Sequence, residues 1–310
     1  MTLKVRGLTF SYGRREILRG INLDADTGIV SLIGPNGAGK STFVKCLSGA
    51  LHPSGGEAEF DGMSILDRAT RKKMRLAYMP QEPPQPTDMS VLEVMLLGRL
   101  ESLSFAVSDE DVDRAYGALE MLDLASLAEH PFNALSGGQA QMIMIAQCLV
   151  SEPKLMILDE PMNNLDLRRE LDIFDVMRQV TDGMGMTTLM VLHDVNFAAR
   201  FSDRIAVIKD GEVYAEGTPE ETVTAGMIRD VYGVESMVGR DSLGNPHVEP
   251  IQSVKKLIVR MKERTENPNQ RLRGRSRIGQ HPLSKTRPIP LNVKRNVRDD
   301  CDGSPPRVPK

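Results

Sequence analysis

Two rhythms of apolar residues run through the first 250 positions. Leu3–Phe10 and Ile17–Leu23 alternate apolar with polar residues, which predicts two strands joined by a turn at Ser11–Arg15. Ile29–Ile33 and Leu155–Asp159 are continuous apolar runs, the second ending in carboxylates, and both predict buried strands. Glu57–Phe60, Leu76–Met79 and Thr187–Leu192 predict further strands, and Arg204–Lys209 with Glu212–Ala215 flank Asp210-Gly211, a hairpin signal. Helical spacing runs through Ser41–Ser48, Val91–Leu97, Asp109–Met121, Ser136–Val150, Leu167–Val180 and Val195–Phe201. Ser108-Asp-Glu-Asp111 supplies a cap and an acidic first turn to one of them. Strands alternating with helices after residue 29 predict a mostly parallel sheet, with the N-terminal and 204–217 strands antiparallel.

Beyond about residue 252 the rhythm stops. Ser253–Glu263 could form one basic amphipathic helix, and from Asn267 the aperiodic Pro, Arg, Asn and Gly predict disorder. Composition sharpens this division. Residues 251–310 carry 16 Lys and Arg against 5 Asp and Glu, while residues 1–250 carry 23 against 37. An acidic body repels phosphates, so no nucleic acid is expected as its partner. The 310 residues allow two domains, or one α/β domain with an appendage. The three cysteines, at 46, 148 and 301, show no C-x-x-C spacing and predict neither a disulfide framework nor a zinc site. No N-terminal apolar segment marks a signal peptide, and no run is long enough to span a bilayer.

The chemistry begins directly after the Ile29–Ile33 strand. Gly34-Pro35-Asn36-Gly37-Ala38-Gly39-Lys40-Ser41-Thr42 fits the phosphate-loop pattern G-x-x-x-x-G-K-[ST], between a predicted strand and a predicted helix. Glycines let successive backbone N–H groups turn toward phosphate oxygens, and the helix N-terminus adds its positive end. Lys40 is expected at the β- and γ-phosphates and the Ser41 hydroxyl on Mg²⁺, so the loop predicts binding of a nucleoside triphosphate. Asp159 and Glu160 end the second apolar run; there Asp159 would hold Mg²⁺ and Glu160 would orient and polarise the attacking water. Leu135-Ser136-Gly137-Gly138-Gln139 opens another helix with a second anion-cradling turn. One nucleotide does not need two such turns, so Ser136, Gly137 and Gly138 are expected to grip a γ-phosphate bound to another subunit.

With that pentapeptide the chain resembles the ATP-binding subunits of ABC transporters over residues 1 to about 250. The resemblance implies that Tyr12 stacks on adenine and that Gln81 touches both Mg²⁺ and a transmembrane partner. It implies that Asn164-Leu165-Asp166 communicates across a dimer and that His193 reaches the γ-phosphate. Catalysis is expected from Lys40, Glu160 and His193, the metal from Ser41, Gln81 and Asp159, and nucleotide contacts from Tyr12, the 34–42 loop, Gln81, Ser136–Gln139 and Asp166. The sequence departs from the family at Ala140, where a basic residue is usual, at Gln147-Cys148, where Arg-Ala is common, and at Met162-Asn163-Asn164, where Thr-Ser-Ala is commoner.

The implied fold is a P-loop NTPase core of mostly parallel sheet flanked by helices. An antiparallel β-subdomain (1–30 and neighbours) and a helical subdomain near 90–150 complete a nucleotide-binding domain, 1–251, followed by the basic tail, 252–310. Two copies would sandwich two ATP molecules head to tail, as a homodimer or paired cassette, and drive permease subunits at the cytoplasmic face of a membrane, indirectly serving a substrate-binding protein. Leu97-Gly98-Arg99 and Thr224–Glu235 resemble the subunits that power iron–siderophore, haem and cobalamin import. An ATPase of another importer or of an exporter is the alternative, and a soluble ABC protein a more distant one. The tail reads either as a solvated appendage or altered reading frame, or as a segment attracted to anionic lipid.

Overall fold

The computed structural model describes residues 2–82, 88–98, 107–163 and 165–254. The chain divides into two units, Met1–Leu257 and Ile258–Lys310, and every described residue lies in the first. Arg99, Asn164 and, from residue 255 onward, the expected Ser253–Glu263 helix and the tail lie outside the described residues.

The first two strands form a long hairpin, β1 (Leu3–Tyr12) and β2 (Arg15–Ala25). Both are longer than the alternation predicts, and the turn shrinks to Gly13 and Arg14. Tyr12 is therefore not in a turn but ends β1, paired with Arg15. β3 (Gly28–Ile33) leads through the glycine loop into α1 (Lys40–Ser48). Nine residues are too few for a stable isolated helix. Burial of Phe43, Val44 and Leu47 holds α1 in place, at about 1.5–3 kcal/mol for each large side chain. β4 (Gly55–Phe60) and β5 (Met63–Ser64) follow, then α2 (Arg68–Lys73), which buries none of its residues, and β6 (Leu76–Met79).

The helical layer is α3 (Val91–Leu97), α4 (Asp109–Met121) and α5 (Gly137–Leu149). Each starts at a serine in a capping box: Ser90 with Glu93, Ser108 with Asp111, Ser136 with Gln139. β7 (Leu155–Asp159), α6 (Leu167–Met184), β8 (Thr187–Val191), α7 (Val195–Phe201), β9 (Arg204–Lys209) and β10 (Glu212–Gly217) continue the alternation. Short helices α8 (Pro219–Thr222) and α9 (Ala225–Met227) lead, through a π-helical turn at Ile228–Tyr232, into a hairpin of β11 (Val234–Arg240) and β12 (Pro246–Ser253). Ser253, expected to open a helix, is the last residue of β12.

β1, β2, β4 and β5 make an antiparallel sheet in the order β2-β1-β4-β5; the main sheet runs β10-β9-β3-β8-β7-β6. β3 belongs to the main sheet, so the antiparallel layer takes 3–25 with 55–64 rather than 1–30. β9 is parallel to β3 and antiparallel only to β10, a correction to the expectation that both 204–217 strands would be antiparallel. Side-chain alternation builds two cores on the faces of the main sheet. Ile29 and Ile33, Met156 and Leu158, Ile205 and Val207 face α3–α6. Val30 and Leu32, Leu155 and Ile157, Ala206 and Ile208 face α1 and the antiparallel sheet. A strand buried on both faces reads as a continuous apolar run, and β3 and β7 carry the loop and the acids for that reason.

Candidate nucleotide and metal site

The register brings the carboxyl ends of three strands together. Asp159 pairs with Val191, and the Leu192 N–H donates to the Leu32 carbonyl at 3.0 Å. Open α/β sheets bind ligands at this edge. The loop leaving β3 begins at Gly34 with φ 146°, and a Cβ there would stand 2.1 Å from the Ile208 carbonyl oxygen. Gly37 (φ 80°) needs glycine for its backbone alone, having open space around it. The loop is pinned from outside by the Gly211 N–H on the Ala38 carbonyl at 3.0 Å. Lys40 is buried, its Nζ donating to the carbonyls of Gly34 (2.7 Å) and Pro35 (3.2 Å). Burial pulls its pKa down, against the charges of Glu160 and Asp159, which hold it up.

This geometry separates the two glycines experimentally. Gly34→Ala meets both the backbone strain and the Ile208 oxygen, whereas Gly37→Ala meets the strain alone. The expected result in urea unfolding is a loss at Gly34 about 2 kcal/mol larger than at Gly37. Equal losses would show that the Ile208 contact does not constrain the loop.

The metal corner lies on α1 and β7. The Ser41 hydroxyl donates to Asp159 Oδ1 at 2.9 Å, and Asp159 is fully buried. Burial raises the Asp159 pKa, opposed by the Ser41 hydrogen bond, raised further by Glu160 and lowered by Lys45 and Lys40. Its second oxygen, Oδ2, is buried without a partner among the described residues. An unpaired buried carboxylate oxygen beside a hydroxyl is an all-oxygen donor set, and these residues fit Mg²⁺.

Glu160 follows with φ 54°, in the left-handed region, a conformation costing ~1–3 kcal/mol for a residue with a Cβ and concentrated at functional sites. That turn aims the carboxylate into a set of three partners. Oε1 lies 2.6 Å from His193 Nε2, and Oε2 accepts from Gln81 Nε2 at 2.5 Å and Asn163 Nδ2 at 2.7 Å. A cavity of about 100 Å³ opens beside Glu160 and His193, with Phe174 and Phe197 in its wall. The structure thus joins Lys40, Ser41, Asp159, Glu160, Gln81 and His193, and adds Asn163, which the sequence did not single out. Tyr12 is 52% exposed at the end of β1, its ring in a T-shaped contact with Phe10 at 4.8 Å.

Ser136–Gln139 forms a separate turn. The Gln139 Oε1 atom accepts from the Ser136 N–H at 3.0 Å, and the Ser136 hydroxyl accepts from the Gln139 N–H at 3.4 Å. Asp166 caps α6, accepting from the Arg169 N–H at 3.1 Å. Arg169, also missed in the sequence, donates to the Ser136 hydroxyl at 3.0 Å, lies 3.3 Å from the Asp166 carboxylate and covers Gly138. No hydrogen bond among the described residues joins this turn to 34–42. A side-chain link from the same helix reaches the residue after the acids, since the Gln141 side-chain amide donates to the Pro161 carbonyl. Gly98 abuts the Gln147 backbone, where a Cβ would come within 2.5 Å of the Gln147 carbonyl oxygen.

Comparison with known proteins identifies the arrangement. The ABC transporter family profile matches residues 18–163. The iron(3+)-hydroxamate import ATP-binding protein FhuC of Bacillus subtilis is 35% identical over 266 residues, covering 83% of this chain and 99% of that protein. A solved transporter described as of metal-chelate type, in an inward-facing conformation, superposes with a TM-score of 0.71 at 26% identity, over 81% of this chain and 97% of that one. A dimeric ATP-binding cassette in a post-hydrolysis state, bound to ADP and Pi, gives 0.61 at 30% identity, over 70% and 98%. Among the described residues no helix is long and apolar enough to cross a membrane. With relatives aligned over almost their whole length and the same fold in solved cassettes, this chain belongs to the ATP-binding, ATP-hydrolysing subunits of ABC transporters.

Proposed function

We propose that the chain powers an importer of chelated metal, with iron–siderophore and haem complexes as the substrate class, and that it works as a homodimer with ATP at the interface. The observation that carries the ATPase part is the Glu160 carboxylate, strained into place beside the phosphate loop and held by Gln81, Asn163 and His193. The import part is supported by similarity to a subunit named for iron(3+)-hydroxamate import.

In this reading Tyr12 stacks on adenine, and the loop N–H groups of Gly34–Thr42 with Lys40 hold the β- and γ-phosphates. Ser41 and Asp159 would hold Mg²⁺, which would supply positive charge against the phosphate oxygens. Gln81 spends its amide N–H on Glu160, which leaves its carbonyl oxygen for the metal. Glu160 takes the proton of the attacking water on its carboxylate, which the Gln81 and Asn163 donors keep oriented. His193 stands against the other carboxylate oxygen, between Glu160 and the γ-phosphate. Ser136, Gly137, Gly138 and Gln139, with Asp166 beside them, meet the γ-phosphate bound to the partner copy.

The permease docks, in the same reading, near Gln81, beside a cleft of about 1020 Å³ lined among others by Gly49, Arg71, Arg75, Leu97 and Gln147. The chain itself lies, in the same reading, at the cytoplasmic face of a membrane, and a substrate-binding protein acts on it only through that permease. The nucleotide-binding domain runs through the end of β12 at Ser253, two residues past the expected boundary at 251, and the basic segment beyond is an appendage.

Mixing two inactive chains tests the shared site. Lys40→Ala removes the phosphate contact and Ser136→Arg blocks the second turn, so each homodimer is inactive. A mixture forms heterodimers in which one site carries both defects and the other none. ATP-dependent pairing and partial hydrolysis are expected to return on mixing, and to persist when 255–310 is removed. A monomer that hydrolyses ATP at full rate at high dilution defeats the reading.

A further inference from the structure

β6 and β7 are parallel neighbours, with Tyr78 paired to Ile157. Tyr78 packs on the same core as Ile157, the one facing α1. Asp159 stands two residues beyond Ile157, so strand alternation puts its side chain on that face too. Two side chains from adjacent strands thus project toward the same corner, and each ends in an orphan. The Tyr78 hydroxyl and Asp159 Oδ2 are both buried, and neither has a hydrogen-bond partner among the described residues. Buried polar atoms are paired in the great majority of proteins, by ordered water where no protein group reaches. Burial, then the Asp159 charge, raise the Tyr78 pKa. A phenol carries one O–H donor, and an ionised carboxylate oxygen only accepts, so the two orphans are chemically complementary.

We propose that Tyr78 is a positioning residue of the metal site, its hydroxyl donating through one bridging water to Asp159 Oδ2. Ser41 fixes the Oδ1 side of the carboxylate, and Tyr78 fixes the other. The two together hold the plane of the carboxylate against rotation while the metal is bound. The proposal rests on the reading of Ser41 and Asp159 as the Mg²⁺ corner. It goes beyond that reading by assigning a second-layer donor on a different strand. Outer-layer donors of this kind commonly change metal affinity about 10–100-fold when removed.

Tyr78→Phe removes one oxygen atom and keeps the ring. The full-length chain is melted at fixed ATP across a Mg²⁺ titration, and again with ATP in EDTA. The expected result is a Mg²⁺ midpoint raised about 10-fold, the low end of that range, with the melting temperature in EDTA unchanged. Asp159→Asn is run in parallel as the reference for the corner itself. If Asp159→Asn loses the Mg²⁺ response and Tyr78→Phe keeps the wild-type midpoint, the hydroxyl has no part in the site and the proposal falls. A lower melting temperature in EDTA with an unmoved Mg²⁺ midpoint overturns it as well, by showing a structural role only. If Asp159→Asn itself keeps the wild-type response, the metal corner is misassigned and the proposal goes with it.

Discussion

Glu160→Gln is expected to slow ATP turnover by about 10²- to 10⁴-fold, the range that a positioned general base supplies, with nucleotide affinity almost unchanged. The substitution suits the site sterically. The glutamine carbonyl can accept from Gln81 and Asn163 as Oε2 does now, and its amide can face His193 Nε2 in place of Oε1. What it removes is the basicity. A neutral amide cannot take the proton of the attacking water, so the variant should stall with ATP bound and the dimer closed. Single-turnover hydrolysis and size-exclusion chromatography with ATP read the two effects separately. Wild-type turnover in the variant would show that the base lies elsewhere.

Lys40→Ala is expected to weaken ATP binding by about 100-fold. Its ammonium is buried and already drawn to two loop carbonyls, so its position is set before phosphates arrive. A charge-assisted contact of that kind is worth about 3 kcal/mol in a partly desolvated site. At an ATP concentration of 100 times the wild-type Kd, binding stabilises the fold by about 2.7 kcal/mol. A hundredfold weaker site leaves about 0.4 kcal/mol by the same relation. The nucleotide-dependent melting shift should therefore nearly vanish. An unchanged shift would remove Lys40 from the phosphate site.

The core and most of the site are legible because their signals are local. β3, β7 and β8 are apolar on both faces, and the loop and the acids follow at once in sequence. The Ser136–Gln139 turn was legible too, although its S-x-x-Q spacing also marks a capping box, a role for Gln139 that the family pattern obscured. The misses have physical causes. α2 buries no residue, so it has no apolar stripe to reveal it. β11 is half-buried and β12 mostly exposed, with Gly239, Pro246 and Pro250 breaking their pattern. Asn163 meets Glu160 only because the chain turns at positive φ. Arg169 reaches Ser136 across 33 residues, and no spacing rule covers that distance. The Asp210-Gly211 hairpin signal was correct for β10, but β9 spends its other edge on β3, far away in sequence.

That last pairing bears on how the protein is made. β3 lies between β8 and β9, and the Asp203 carboxylate that accepts from the Ile29 N–H is 174 residues downstream. At a synthesis rate of about 5–20 residues per second, that gap lasts roughly 9–35 s. Until β8 emerges near its end, an apolar strand waits with both edges unpaired, a state open to wrong partners. The β1–β2 hairpin can form meanwhile, being closed by neighbours in sequence. The phosphate loop cannot, since its first glycine is shaped against Ile208. ATP can therefore offer no help to the nascent chain until β9 has left the ribosome, and a fragment stopping short of it would carry every residue of the loop without its shape.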